Sequence, residues 1–278
     1  MSAGRIEGER VGIRLGAGAE AFEAVQALDF SIEPGQFVCI LGPSGCGKST
    51  LLGALAGHLQ PSSGQLRVDG AAVDGPSPRR GMVFQHHTLL PWRSVLDNVA
   101  FGLKMQGVAT AERHRQALEM LRWVGLEDFA GHWPRQLSGG MQQRAEIARV
   151  LINRPRLLLM DEPFGALDAQ TRARMQQLLL DIWGRIGTTV VFVTHDIDEA
   201  LFLGDRILVM SARPGRFIAD LQLPFQRPRQ PGLLTSPEFV ALKRHCLELL
   251  EHGPDAPALP RLTPLGLPLP HDLSRIAL

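Results

Sequence analysis

A chain of 278 residues with 29 Lys and Arg against 28 Asp and Glu carries a formal charge of +1, so no strong field draws it to nucleic acid or acidic lipid, and its length can bury one large α/β unit. The three cysteines, Cys39, Cys46 and Cys246, form neither a CxxC pair nor a metal-ligand spacing, which fits a reducing compartment. No window approaches the roughly 20 apolar residues of a membrane-spanning helix, and the opening MSAGRIEGERVGIRLG lacks the apolar stretch of a signal peptide, so a soluble or peripheral protein is expected.

In chain order, Phe37 to Leu41 is a short apolar run of the kind buried in a parallel sheet. It leads directly into Gly42-Pro43-Ser44-Gly45-Cys46-Gly47-Lys48-Ser49, a GxxxxGK[ST] pattern, and Thr50 to Leu59 reads as the helix behind it. Strand, glycine-rich loop and helix together are the context such a loop needs. Its backbone N–H groups turn inward toward phosphate oxygens, and the helix N-terminus adds partial positive charge. Lys48 is then placed to neutralise the β- and γ-phosphates, and Ser49 to offer its hydroxyl to Mg²⁺. The pattern by itself indicates a nucleoside triphosphate and does not say which machine uses it. Cys46 reads as a small filler whose alkylation would obstruct nucleotide binding.

Met82 to Phe84 is the next strand, with Gln85 at its end as a Mg²⁺ or water ligand. Between Pro91 and Arg154 strand-like runs give way to helical patterns such as Ala111 to Val124, which predicts a helical subdomain inserted between strands. Within it, Ser138-Gly139-Gly140 opens a helix whose apolar positions Met141, Ala145, Ala148 and Ile152 recur at helical spacing, ended by Arg154-Pro155. Capping chemistry alone makes this a well-capped helix; the same N-terminus is also a second anion site.

Leu157 to Met160 ends abruptly in Asp161 and Glu162, where an open α/β sheet binds ligands. Asp161 suits the Mg²⁺ hydration shell and Glu162 the polarisation of an attacking water. Standing alone the pair would read as a solvated strand end, and the phosphate loop upstream favours the chemical roles. Val190 to Val193 leads to His195, which either bonds a γ-phosphate or serves structure. Ile207 to Met210 is a further strand. Alternation of these strands with helices predicts an α/β fold with a covered parallel sheet. Ser236 to Leu250 reads as one helix, capped by Ser236 with Pro237 at its first position, and Gly253 to Pro270 as a Pro-rich tail.

LSGGMQQR (Leu137 to Arg144), lying shortly before LLLMDEP, resembles the signature of ABC transporter ATPases, and the resemblance runs through almost the whole chain. It implies a P-loop NTPase (RecA-like) core with a mostly parallel sheet, a small antiparallel β region and an inserted helical subdomain. The division it implies is 1–90 with 155–220 as the core, 91–154 as the helical subdomain and 221–278 as a C-terminal helix and tail. ATP and Mg²⁺ are the implied cofactors. Gly42 to Thr50 matches the Walker A loop, Gln85 the Q-loop, Asp161 and Glu162 the Walker B and catalytic acid, Gly165 to Asp168 the D-loop, and His195 the switch histidine. The resemblance thus implies catalytic roles for Lys48, Glu162 and His195, and metal contacts for Ser49, Gln85 and Asp161. It also implies a head-to-tail dimer in which Ser138, Gly139 and Gly140 of one subunit close over ATP held by Lys48 and Ser49 of the other. The family's adenine-stacking aromatic lies near Leu15 of this chain; Phe22 is the nearest candidate, and Tyr is absent.

Phe84-Gln85-His86-His87-Thr88-Leu89-Leu90-Pro91-Trp92 followed by Val95-Leu96-Asp97-Asn98-Val99, with Thr194-His195-Asp196, Glu199-Ala200 and Arg213-Pro214-Gly215, resembles importer ATPases of the nitrate, sulfonate and taurine group. That implies a peripheral subunit at the cytoplasmic membrane face, partnered by permease subunits and an external solute-binding protein, with no nucleic acid. Leu89 to Trp92 would line the permease groove or pack internally. The alternatives are an ABC protein of DNA repair or translation, and a P-loop small-molecule kinase. A single cassette with balanced charge disfavours the first, and the Ser138-Gly139-Gly140 helix the second.

Overall fold

The computed structural model describes residues 4–255. Strands β1 (Ile6–Leu15), β2 (Phe22–Ile32), β4 (Ser63–Val68) and β5 (Ala71–Ala72) form an antiparallel sheet in the order β2-β1-β4-β5. A larger sheet is built from β3 (Phe37–Leu41), β6 (Arg80–Val83), β7 (Leu157–Asp161), β8 (Thr189–Thr194), β9 (Arg206–Met210) and β10 (Phe217–Gln222), in the order β10-β9-β3-β8-β7-β6. All its pairings are parallel except β9 with β10. The α/β class and the small antiparallel region are as expected from the sequence.

The helices are α1 (Lys48–Ala56), α2 (Val95–Val99), α3 (Phe101–Met105), α4 (Thr110–Trp123), α5 (Gly139–Leu151), α6 (Ala169–Ile186), α7 (Ile197–Leu203) and α8 (Pro237–His252). Strand side chains alternate between two faces, which explains why the central runs are apolar throughout. Phe37, Cys39, Leu41, Leu158, Met160, Val190 and Phe192 face one core with the helices after β6. Val38, Ile40, Leu157, Leu159, Val191 and Val193 face the other, with α1 and the antiparallel sheet. Truncating a ring such as the fully buried Phe192 would cost about 3–5 kcal/mol.

Three boundaries differ from the sequence expectations. The helix after the phosphate loop spans Lys48–Ala56 rather than Thr50 to Leu59, because Gly57 turns left-handed at φ 86° and its N–H and that of His58 close the last turn on Ala54 O and Gly53 O. β6 runs Arg80–Val83 rather than Met82 to Phe84: pairing begins at Arg80 opposite Leu157, and Phe84 leaves the sheet 37% exposed. The long strands β1 and β2 escape a period-two reading because bulges interrupt them, with Arg10 and Ala27 both at φ 47°. The named elements between β6 and β7 are all helical. α8 carries the expected cap, Ser236 Oγ accepting from Phe239 N–H at 3.2 Å, and ends at His252. Most of the Gly253 to Pro270 tail lies outside the described residues.

Candidate active site

The C-terminal ends of β3, β7 and β8 lie side by side, and the candidate residues sit just beyond them. β3 passes into Gly42 to Ser49, and the loop closes at Gly47, φ 104°, where an added Cβ would lie 2.6 Å from the Ala24 carbonyl of β2. Only glycine fits both the conformation and the space. Pro43, Ser44 and Gly45 form the exposed rim, and Thr50 is half-buried on the first turn of α1. Lys48 is buried, and its Nζ donates to Gly42 O (2.8 Å) and Pro43 O (2.9 Å), bonds that offset the desolvation of the ammonium. Cys46 is buried as well, and burial pushes its thiol up, in keeping with a filler role.

Ser49 Oγ donates to Asp161 Oδ1 at 2.9 Å. Burial raises the Asp161 carboxyl, the neighbouring Glu162 charge adds to this, and Ser49 and Lys48 oppose it. One hydroxyl and one carboxylate, adjacent at a phosphate loop, suit Mg²⁺, which takes few protein oxygens and completes its shell with phosphates and water. Among the described residues no cluster of three or more His, Cys, Asp or Glu offers a closed metal cage.

Glu162 has a left-handed backbone, φ 42°, which is strained for a residue with a side chain. Its N–H bonds Val193 O at 3.0 Å, tying the turn to β8, and its carbonyl accepts from Gly165 N–H at 3.2 Å. The carboxylate thereby spans two partners: Oε2 lies 3.0 Å from His195 Nδ1, and Oε1 lies 3.9 Å from Lys48 Nζ. Lys48, Glu162 and His195, read separately from the sequence, are brought together.

His195 stands on a buried network that the sequence reading missed. Thr194 Oγ1 donates to Glu199 Oε2 at 2.6 Å and accepts from Asp196 N–H at 3.0 Å. Gln176 Nε2 of α6 donates to Glu199 Oε1 at 3.1 Å, and Arg172 Nη1 donates to Asp196 Oδ2 at 3.4 Å. Burial raises the Glu199 carboxyl. In the sequence Thr194, Asp196 and Glu199 stood out only through a family resemblance, and nothing in their spacing says that they bond one another.

The remaining candidates are placed less directly. Gln85 is exposed just past β6, and among the described residues its side chain makes no hydrogen bond. The segment after it is anchored to α5: Thr88 Oγ1 donates to Glu146 Oε1 at 3.0 Å, and Arg149 Nη1 donates to Thr88 O at 2.8 Å. Ser138 Oγ caps α5 by accepting from Met141 N–H at 3.3 Å, Gly139 follows, and Gly140 packs so closely on α6 that an added Cβ would lie 2.7 Å from Thr171 Cγ2. The Asp168 carboxylate caps α6, accepting from Thr171 N–H at 3.0 Å, which lowers its pKa. Phe22 lies opposite Leu15 in the β1–β2 pair, 41% exposed, with the Arg213 guanidinium 5.1 Å from its ring centre.

The ABC transporter family profile matches residues 25–165. A taurine import ATP-binding protein, TauB, of Rhizobium johnstonii is 52% identical over 84% of this chain and 90% of its own length. The TauB of Chromobacterium violaceum is 47% identical over 87% of this chain and 94% of its own. Among solved structures, the dimeric post-hydrolysis ATP-binding cassette MJ0796 with ADP and Pi superposes with a TM-score of 0.69 at 34% identity, covering 80% of this chain and 100% of that one. The structure of cbiO1 from Clostridium perfringens, part of the ABC transporter complex cbiONQ, gives a TM-score of 0.72 at 28% identity, covering 89% and 96%.

Proposed function

The chain belongs to the ABC transporter family as an ATP-binding subunit with ATPase chemistry, and from that premise we propose that it couples ATP hydrolysis to uptake of a small anionic solute of the taurine, sulfonate or nitrate class. The observation that carries the catalytic part is the Glu162 carboxylate, held between His195 Nδ1 at 3.0 Å and Lys48 Nζ at 3.9 Å beside the phosphate loop. The solute class rests on the likeness to the two TauB proteins.

In this reading the backbone of Gly42, Pro43, Ser44, Gly45, Cys46 and Gly47 cradles the phosphates, and Thr50 lies on the helix turn behind them. Lys48 turns its ammonium from the loop carbonyls to the β- and γ-phosphates. Ser49 and Asp161, with Gln85 as a further candidate, would hold Mg²⁺, which would supply charge neutralisation at the phosphates. Glu162 accepts a proton from the attacking water as the water oxygen bonds the γ-phosphorus and ADP leaves with the bridging oxygen, and the His195 contact keeps that carboxylate aimed. Ser138, Gly139, Gly140 and Asp168 complete the site from a second copy of the chain, as a head-to-tail homodimer requires.

The core comprises 1–90 with 155–220, the helical subdomain 91–154, and the C-terminal part 221–278. Trp92, 68% exposed, belongs to the surface that meets a membrane permease, and a solute-binding protein delivers the cargo from outside. In this reading the chain works at the cytoplasmic membrane face; among the described residues no helix is long and apolar enough to cross a membrane. The test is twofold. Purified chain should release phosphate from ATP with Mg²⁺, and cells deleted for it should lose uptake of labelled taurine while sulfate uptake persists. No hydrolysis would reject the catalytic reading, and unchanged taurine uptake would reject the solute.

A further inference from the structure

The turn Ser211 to Arg216, which joins β9 to β10, is built into the wall of the phosphate loop. Gln26 N–H donates to Gly215 O and Gly215 N–H donates to Ala24 O, both at 3.0 Å, which stitches the turn to β2. A side chain at Gly215 would collide with the Cys46 carbonyl, so the turn touches the loop backbone itself. Ser211 Oγ stiffens it internally, donating to Pro214 O at 3.2 Å and accepting from Arg216 N–H at 3.1 Å.

From this turn Arg213 reaches across the loop, its Nε donating to Gly45 O at 2.7 Å. Its guanidinium lies over the Phe22 ring, 5.1 Å from the centroid. Among the described residues no carboxylate pairs with it, and it is exposed at the loop rim. A cation is therefore anchored through Nε at the loop rim, with an aromatic ring close by, beside the place where a triphosphate would sit. Leu15, opposite Phe22, offers no ring of its own.

We propose that Arg213, rather than an aromatic side chain, receives the nucleotide base, with Phe22 as its backing. The proposal rests on the reading of Gly42 to Ser49 as the ATP loop. Arg213 touches both Phe22 and the Gly45 carbonyl, so its guanidinium is held at the loop rim, within the neighbourhood of a base tethered to phosphates in the loop. Guanidinium planes stack on aromatic bases and attract their π-faces, whereas an ammonium offers a point charge with no plane.

The experiment is titration calorimetry with Mg²⁺ on the full chain, comparing ATP with inorganic tripolyphosphate, which has no base. Arg213→Ala should weaken ATP binding roughly tenfold and leave tripolyphosphate binding unchanged. Arg213→Lys should lose as much, because it keeps charge and loses the plane. Equal losses for both ligands, or recovery with Lys, would overturn the proposal in favour of a charge acting on phosphate. A wild-type chain that binds neither ligand would instead overturn the reading of the loop on which the proposal stands.

Discussion

Nδ1 of His195 lies 3.0 Å from Oε2 of Glu162, across the gap between the ends of β8 and β7. The pair is made by the left-handed turn at Glu162 on one side and the Thr194–Glu199 network on the other. The proposed general base and the histidine beside it are thus held by separate strands.

Glu162→Gln should lower steady-state ATP hydrolysis by about 10²- to 10⁴-fold while nucleotide affinity stays within a few-fold. His195→Ala should lose less at low ATP, since the carboxylate remains. Phosphate release measured beside fluorescent-nucleotide binding checks both; a parallel loss of binding in Glu162→Gln would make the residue structural.

Burial raises the Asp161 carboxyl, so the folded chain holds that proton more readily than the unfolded chain does. Between the ordinary aspartate range and the raised value the native state binds more protons, and the stability contribution of this group falls as pH rises. At neutral pH the full desolvation penalty is present. Asp161→Asn, which keeps an acceptor for Ser49, should raise the melting temperature by roughly 2–4 °C at pH 7.5 in EDTA. The gain should shrink as pH drops toward the ordinary aspartate range, while Mg²⁺-dependent hydrolysis is lost. A melting curve series across pH gives the answer.

Asn98 is fully buried in α2 and pins the loop that carries Trp92. Its Oδ1 accepts from Leu90 N–H at 2.7 Å, and its Nδ2 donates to the carbonyls of Leu90, Arg93 and Ser94 at 3.0 to 3.1 Å. Asn98→Ala takes the partner from the Leu90 N–H and the Arg93 carbonyl, while the Leu90 and Ser94 carbonyls keep backbone donors, and should cost about 2–3 kcal/mol. Urea unfolding would register it as a lower midpoint with an unchanged slope.

Cys39, Cys46 and Cys246 are all buried, and burial pushes their thiols up, Cys246 to about 12. Native chain should therefore react negligibly with Ellman's reagent at pH 8 over minutes, and three thiols should appear in denaturant. The sequence made Cys46 a plausible point of chemical blockade; the packing around it shields it, so inhibition by alkylation should track the rate of local opening. Fast reaction of one native thiol would contradict the packing of the loop.

What the sequence determined by itself was whatever is written in consecutive residues. The strand, loop and helix around Lys48, the acidic pair after Leu157 to Met160 and the Ser138-Gly139-Gly140 helix start are short segments whose chemistry needs fixed spacing, so their order reveals them. The apolar central strands were readable because burial on both faces leaves no polar positions. Tertiary structure alone decided which groups meet. Arg213 reaches Gly45 over 168 residues and Thr88 reaches Glu146 over 58, and no local pattern says that these pairs meet. The bulged strands β1 and β2 were hidden because Arg10 and Ala27 break the alternation. A spacing rule records what one stretch of backbone requires of itself. A contact between distant stretches depends on sheet order, and so does the aim of Glu162 at His195.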